Sequence, residues 1–204
     1  MNWWLKSRAV LTLAGCTVLM TLAGLAFGST ELPLPALTGG SGRFLLAGLT
    51  PVLPAVLWLN STGRVGPHTE STAVRAVARW DTALATGLAT AVLALTLVGH
   101  LLGADVIALT VGRNTIVFIG IALVLEPLAG HRSAAVLTSV VPLFCAAAGW
   151  RSGGVGAEPW ALILHPGNSV PAFAASLTLL AAGAVFSFVR PFGTRASWLR
   201  EATA

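Results

Sequence analysis

The side chains most able to carry chemistry are a few polar and charged residues set inside long apolar stretches. Arg113 and Asn114 interrupt one such stretch, which begins after Asp105 and ends near Glu126. If this stretch crosses a membrane, a charged group inside it is costly, so it usually faces a cavity or a partner. A helix that begins at Val106 would bury Arg113 roughly 10 Å deep, with Asp105 as a charge partner two turns away. A helix that begins at Asn114 would leave Arg113 at the interface, with its side chain extending into water.

Glu126 is the carboxylate at the opposite end of the same stretch. It is followed by Pro127, Gly130, His131 and Arg132. The spacing predicts that Glu126 pairs with Arg132 or caps a neighbouring helix. A proton-coupling function would need a second buried carboxylate, and the sequence pattern does not indicate one.

Two prolines mark the second apolar run of the chain. Pro51 and Pro54 each lack a backbone N–H and therefore free a carbonyl group in a helix. Broken helices with free carbonyls occur at transport sites, which is one interpretation of the pair. Prolines are also more frequent in membrane-spanning helices than in soluble ones, which is the other.

The segment between residues 151 and 171 joins the last two apolar runs and holds Trp160 and His165. Two prolines bracket the short apolar sequence at 161–164. The segment is predicted either to dip into the membrane interface and cover a cavity, or to pack as a loop on the helix ends. The packed loop is the favoured interpretation.

Arg75 and Arg79 lie four residues apart in the connection between residues 60 and 81. They therefore share one face if this segment is helical. Apolar neighbours such as Val74 and Val77 would place such a helix in the membrane interface. The two arginines are then either a contact for a cytoplasmic partner or an anchor to anionic lipid.

Motifs for nucleotide hydrolysis, zinc proteolysis and serine hydrolysis are missing from the sequence. It contains no GxxxxGK[ST] loop, no HExxH pair and no GxSxG turn. The histidines, His68, His100, His131 and His165, do not have the spacing of metal ligands. We therefore predict no catalytic residues, no metal site and no cofactor, and we do not expect an enzyme.

Composition indicates which elements position these residues. The chain has 204 residues, of which 55% are hydrophobic and 9% are charged, whereas about 25% of the residues in a soluble domain are charged. A soluble protein of this size could not bury so much apolar surface. Because roughly 20 apolar residues cross the hydrocarbon core as a helix, we predict an all-α bundle, a single transmembrane domain of about six spans. The predicted spans are approximately 9–27, 44–59, 82–102, 106–128, 134–150 and 171–189.

The positions of the basic residues predict the sidedness. Cytoplasmic segments of membrane proteins carry an excess of Lys and Arg, and a cytoplasmic N-terminus gives that excess to the inner side. We therefore expect a multi-pass protein of the cell membrane with both termini inside, and we attribute the net charge of +5 to topology instead of nucleic-acid binding. The tryptophans agree, because they fall at or just beyond the span ends. On the predicted inner side lie Lys6, Arg8, Arg64, Arg75, Arg79, Arg132, Arg190, Arg195 and Arg200, and on the outer side lie Arg43, Arg113 and Arg151.

The two cysteines, Cys16 and Cys145, lie inside apolar runs and are predicted to be buried thiols, not a disulfide. The sequence Leu-Ala-Gly-Cys at 13–16 matches a lipoprotein cleavage pattern and follows two basic residues. The apolar run continues to Phe27, however, which favours an uncleaved first helix.

A family resemblance accompanies these features. The sequence Gly-Arg-Asn at 112–114 is followed by Gly120 and by a later loop with Trp160 and Pro166. Together with six spans and a basic inner loop, these features resemble small actinobacterial integral membrane proteins that are often labelled permease components of ABC-type transporters. The resemblance implies a six-helix permease that works with a separate ATPase and dimerises. It assigns no catalytic or binding residues.

Three hypotheses for the function follow. The first and preferred one is a permease subunit, as a homo- or hetero-dimer, energised by a separate cytoplasmic ATPase. The second is a substrate-binding membrane component similar to those of energy-coupling-factor transporters, with the loop around Trp160 as a lid. The third is an accessory, assembly or immunity membrane protein that does not transport. The lipid bilayer is a partner in all three.

Overall fold

A computed structural model of the protein describes residues 2–33, 37, 44–64, 77–151 and 156–189. In these parts the chain forms seven α-helices, one two-stranded sheet and two short 3₁₀ turns. The strands β1 (Glu31–Leu32) and β2 (Phe44–Leu45) pair antiparallel, and the 3₁₀ turns are Leu46–Gly48 and Leu162–Leu164. The helices are α1 (Asn2–Ser7), α2 (Val10–Phe27), α3 (Val52–Thr62), α4 (Val77–Leu101), α5 (Ile107–Ala129), α6 (His131–Ala148) and α7 (Val170–Val189).

Five of these helices, α2, α4, α5, α6 and α7, are long and apolar enough to cross a membrane. They correspond to the first, third, fourth, fifth and sixth predicted spans. Large apolar side chains such as Leu19, Leu97 and Phe144 are exposed on their outer faces, as expected where lipid replaces water. The prediction of an all-α, multi-pass membrane protein is therefore confirmed at this level.

The second predicted span, 44–59, needs correction. It begins as β2 and a 3₁₀ turn, and α3 itself has only 11 residues. Pro51 directly precedes α3 and Pro54 lies in its first turn, where backbone N–H groups have no intrahelical acceptor in any case. The two prolines therefore lie at the start of the helix, and the interpretation of Pro51 and Pro54 as a break within a spanning helix does not agree with this arrangement.

Hydrogen bonds join the ends of α2 and α3 at both levels of the bundle. At one end, Arg8 Nη1 donates to the carbonyl of Thr62 at 2.6 Å. At the other end, the N–H of Ala47 donates to the carbonyl of Gly28 at 3.1 Å. The segment Leu46–Thr62 therefore runs antiparallel to α2 and covers its length. We call the end of the bundle that contains Arg8 and Thr62 the Arg8 end. We call the end that contains Gly28 and Ala47 the Arg113 end, because Asn114, the neighbour of Arg113, donates to the carbonyl of Ala47.

Helix α5 is the centre of the bundle. In its most apolar 18-residue window 72% of the residues are buried, against 22–33% for the other four long helices. Every residue from 111 to 120 is buried. Glycines permit the close approach of neighbouring helices, because a Cβ on Gly183 of α7 would lie 2.6 Å from the carbonyl oxygen of Gly120. Small residues thus pack the helices as membrane bundles require.

Candidate functional site

Arg113 lies in the second turn of α5 and is fully buried. Its Nη1 donates to the carbonyl of Pro166 at 2.8 Å. Its Nη2 donates to the carbonyls of His165 at 2.8 Å and Ile163 at 3.4 Å. The guanidinium group therefore holds three backbone carbonyls within four residues of the segment that precedes α7. We call this segment, residues 156–169, the capping loop.

Asn114 extends the same cluster to the start of α3. Its Oδ1 accepts from Nε and Nη2 of Arg113 at 3.3 and 3.0 Å. Its Nδ2 donates to the carbonyl of Ile163 at 3.4 Å and to that of Ala47 at 3.3 Å. Because Asn114 supplies both an acceptor and a donor, it fixes the guanidinium and ties the capping loop to the segment that precedes α3.

The capping loop needs these donors because its backbone is irregular. A 3₁₀ turn leaves carbonyl groups without helical partners, and non-helical backbone at membrane depth is tolerated only where protein or water satisfies it. Gly167 also lies tightly against α5, since a Cβ there would be 2.6 Å from the carbonyl oxygen of Val106. The loop is thus packed on the helix ends, in agreement with the favoured interpretation of the sequence.

His165 contacts Arg113 through its main-chain oxygen, whereas Trp160 lies earlier in the capping loop, beside Phe144 of α6. The ring of Trp160 is 49% exposed and lies 5.5 Å from the ring of Phe144. The Nε2 atom of His165 lies 3.1 Å from the carbonyl oxygen of Glu158. Only the main-chain oxygen of His165 contacts the guanidinium of Arg113, so the imidazole braces the loop.

Asp105 is not the partner of Arg113, and this prediction is wrong. The side chain of Asp105 is exposed and its Oδ1 accepts from the N–H of Val106 at 2.6 Å. The carboxylate therefore stabilises the start of α5, where unpaired N–H groups are available. Within the described ranges no carboxylate forms a salt bridge with Arg113. Arg113 has the buried position expected for a helix that begins near Val106, but among the described residues its charge has no acidic partner.

A second buried arginine, which the sequence analysis did not single out, lies at the Arg8 end. Arg8 is 1% exposed and faces the carboxylate of Asp81 near the start of α4. Nε donates to Oδ1 at 2.9 Å and Nη2 to Oδ2 at 2.5 Å. This is a bidentate pair, the strongest geometry between these two groups. It joins the start of α2 to α4, while Nη1 holds the end of α3 through Thr62.

Indole groups complete the Arg8 end. Trp4 Nε1 donates to Oδ1 of Asp81 at 3.1 Å, and Trp58 Nε1 donates to the main-chain oxygen of Asp81 at 3.2 Å. Trp58 is fully buried. Asp81 therefore accepts from Trp4 of α1, from Trp58 of α3 and from Arg8, which lies between α1 and α2. Its position before a predicted span, at the same expected depth as Arg8, is the signal that could have identified the pair.

Glu126 also lies at the Arg8 end, and its predicted pairing with Arg132 needs correction. Its Oε1 lies 3.0 Å from Nδ1 of His131, which is in turn 3.1 Å from Oγ1 of Thr62. Arg132 is exposed. Gly130, the single residue between α5 and α6, has φ +81° and turns the chain so that His131 faces back to Glu126. Glu126 and Asp81 are both buried at this end, so the structure contains the second buried carboxylate that the sequence pattern does not indicate.

Of the two candidate partner-contact arginines, Arg75 and Arg79, the structure describes only Arg79. Arg75 lies outside the described residues. Arg79 is exposed in the first turn of α4, and its guanidinium carbon lies 4.7 Å from the centre of the Phe188 ring. This cation–π contact joins α4 to the end of α7, and a hydrogen bond between Thr82 and Ser187 at 3.0 Å supports it.

Both clusters hold charges and backbone in place; neither carries the arrangement of a nucleophile beside a base. Among the described residues, no three His, Cys, Asp or Glu side chains are grouped so that they could hold a metal ion. Comparison with known proteins adds no assignment, because no family model, curated protein or solved structure matches the chain.

Proposed function

We propose that the protein is the membrane subunit of a transporter that is energised by a separate ATPase. The observation that carries the proposal is the filled centre of the chain, where residues 111–120 of α5 are all buried. Gly120 and Gly183 bring α5 and α7 into backbone contact there. Because packed side chains fill the middle of one chain, a substrate path would lie between this chain and a second subunit. That arrangement is expected of half a transporter.

Six passes form part of this proposal. Although Leu46–Thr62 is shorter than the other apolar helices, its hydrogen bonds to Gly28 and to Arg8 at opposite ends support a full crossing beside α2. An even number of passes brings both ends of the chain to one side. The Leu46–Thr62 crossing is shortened because a two-stranded sheet and a 3₁₀ turn replace its first helical turns.

Exposed charges support a cytoplasmic location for the Arg8 end. The carboxylates of Asp81 and Glu126 are buried there, whereas exposed acidic residues such as Glu31 and Asp105 lie towards the Arg113 end. Excess basic residues mark the cytoplasmic side of membrane proteins. The exposed basic residues of the Arg8 end are Lys6, Arg64, Arg79 and Arg132.

Isolation of the full chain from its native host tests the proposal. The tagged protein, extracted in mild detergent, should retain an ATPase subunit in a fixed stoichiometry by native mass spectrometry, and the complex should hydrolyse ATP. Arg75→Glu with Arg79→Glu should weaken that association, because the sequence predicts both arginines on the cytoplasmic side and Arg79 is exposed there. Arg151→Glu, at the other end, is the matched control and should leave it intact.

A chain that is recovered only as a monomer, without ATP hydrolysis in any detergent that keeps it folded, would contradict the proposal. It would favour the accessory or immunity hypothesis, which requires no ATPase.

A further inference from the structure

The positive charge of Arg113 has no counter-charge in the described parts of the chain. Its acceptors are the carbonyl oxygens of Ile163, His165 and Pro166 and the amide oxygen of Asn114. All four are neutral. Arg8, which is buried to the same degree, has the carboxylate of Asp81. The positive charge of Arg113 is therefore fully buried and, within the described residues, has no opposite charge beside it.

Neutral acceptors lower the cost of such a charge but do not cancel it. A buried charge is stable in proteins mainly where it is paired as well as hydrogen-bonded. A phosphate or carboxylate group offers oxygen acceptors at the same distances and adds the opposite charge. The planar guanidinium group matches two oxygens of such an anion at once. An oxyanion would therefore bind Arg113 more strongly than the carbonyls do.

The N–H groups of Arg113 are arranged so that an oxyanion can replace the loop carbonyls as their acceptor. A guanidinium group has five N–H bonds, and Nη1 uses one acceptor among the described residues, the carbonyl of Pro166. In the two shortest hydrogen bonds, both 2.8 Å, Nη1 and Nη2 donate to the carbonyls of two adjacent residues of the capping loop, Pro166 and His165. These two nitrogens are the pair that a carboxylate or phosphate contacts. Nε and the bond to Asn114 would remain in place.

We propose that Arg113 is an oxyanion-binding residue whose site is occupied by capping-loop carbonyls when no ligand is bound. The ligand is a molecule that presents a phosphate or carboxylate group, either a lipid headgroup or a soluble compound. Binding displaces the carbonyls of His165 and Pro166 from the guanidinium, and Asn114 keeps the side chain oriented. This inference does not depend on an ATPase partner, because the site lies within one chain.

Two probes distinguish the sources of the anion. The full chain in dodecyl maltoside is titrated with inorganic phosphate, and separately with phosphatidic acid in mixed micelles, with diacylglycerol as the uncharged control. We expect saturable binding of an anionic probe, a higher thermal unfolding midpoint, and faster amide exchange in residues 162–169, where the displaced carbonyls release the loop. Binding of phosphatidic acid alone indicates a lipid headgroup, and binding of both probes indicates a soluble anion.

Variants assign the binding to Arg113. Arg113→Gln should weaken it about tenfold or more, as expected for loss of a charge-assisted hydrogen bond. Arg151→Gln, an exposed arginine towards the same end, should leave it unchanged. If Arg113→Gln does not fold, Arg113→Lys keeps the charge but loses the fork and should weaken binding as well.

Equal binding by the wild type and the Arg113 variants overturns the proposal. So does anion binding that changes amide exchange only near Arg64 and Arg132, because the ligand would then sit on the basic surface of the Arg8 end. Failure to bind either probe overturns it too, while leaving association with an ATPase as a separate result.

Discussion

Arg8 and Arg113 are both buried, but the two ends of the bundle stabilise them in different ways. Arg8 meets a carboxylate from another helix in a bidentate pair. Among the described residues, Arg113 meets backbone carbonyls of a loop and a neighbouring amide, all of them neutral. At the Arg8 end, a pair of opposite charges joins two helices. At the Arg113 end, the guanidinium binds the irregular backbone of a loop, and its acceptors are neutral. The first arrangement is expected to serve stability, whereas the second is the one that the proposed oxyanion would complete by displacing the loop carbonyls.

The largest effect should come from breaking the charge pair. Asp81→Ala leaves Arg8 buried without its carboxylate and should cost about 3–5 kcal/mol of stability. Unfolding in mixed micelles of rising sodium dodecyl sulfate content measures the loss. The double variant Arg8→Met with Asp81→Leu removes both charges and should recover most of it. If the double variant is as unstable as the single one, the pair is not the source of the effect.

A smaller effect is expected from the uncompensated arginine. Arg113→Met removes the charge without leaving an opposite charge behind, and should cost about 1–3 kcal/mol for the carbonyls that lose their donor. The change should be local, with faster amide exchange in the capping loop and altered fluorescence of Trp160. A loss as large and as global as that of Asp81→Ala would mean that the two ends are equivalent.

The capping loop can also be loosened without altering any charge. Gly167→Ala places a Cβ 2.6 Å from the carbonyl oxygen of Val106, so the loop must move, at a cost of about 1–2 kcal/mol. Exchange in the loop should rise while Arg113 is retained. Gly87→Ala is the matched control, because no atom lies within 4 Å of its added Cβ. Equal effects of the two substitutions would exclude a tight loop.

The smallest effect is expected from the backbone strain at Ala9, the residue directly before α2. Ala9 has φ +47°, a left-handed conformation that costs a non-glycine residue roughly 1 kcal/mol. Ala9→Gly should therefore raise the free energy of unfolding by less than about 1 kcal/mol, and Ala9→Val should lower it, as measured from detergent unfolding curves. If Ala9→Gly is destabilising, the turn between α1 and α2 is not under strain.

The long apolar helices could be predicted from the sequence because hydrophobic length is a local property. Five predicted spans correspond to helices of the structure. The second could not be assigned correctly, since Pro51 and Pro54 are compatible with either a broken helix or a helix start. Only the contacts around Ala47 and Gly28 decide between them. Local pattern thus fixes where apolar helices form more reliably than where they begin.

Charge partners were harder to predict because they depend on which helices are neighbours. Asp105 is close to Arg113 in sequence, but the helix start competes for its carboxylate. Glu126 binds His131, because Gly130 reverses the chain before Arg132. The Arg8–Asp81 pair was missed for a similar reason. The charge bias predicts only the side of the membrane on which Arg8 lies and does not indicate that its side chain is buried, at 1% exposed, against another helix.

The separation of 73 positions between Arg8 and Asp81 also constrains how the chain is made. During synthesis, the first helix leaves the ribosome long before α4 exists, so Arg8 must wait at the translocon or the headgroup layer without its carboxylate. Arg113 waits in turn for Pro166, 53 residues later. During synthesis the Arg8–Asp81 pair can therefore form before the contact between Arg113 and Pro166. An insertase that protects the first helix until α4 is inserted would favour correct assembly.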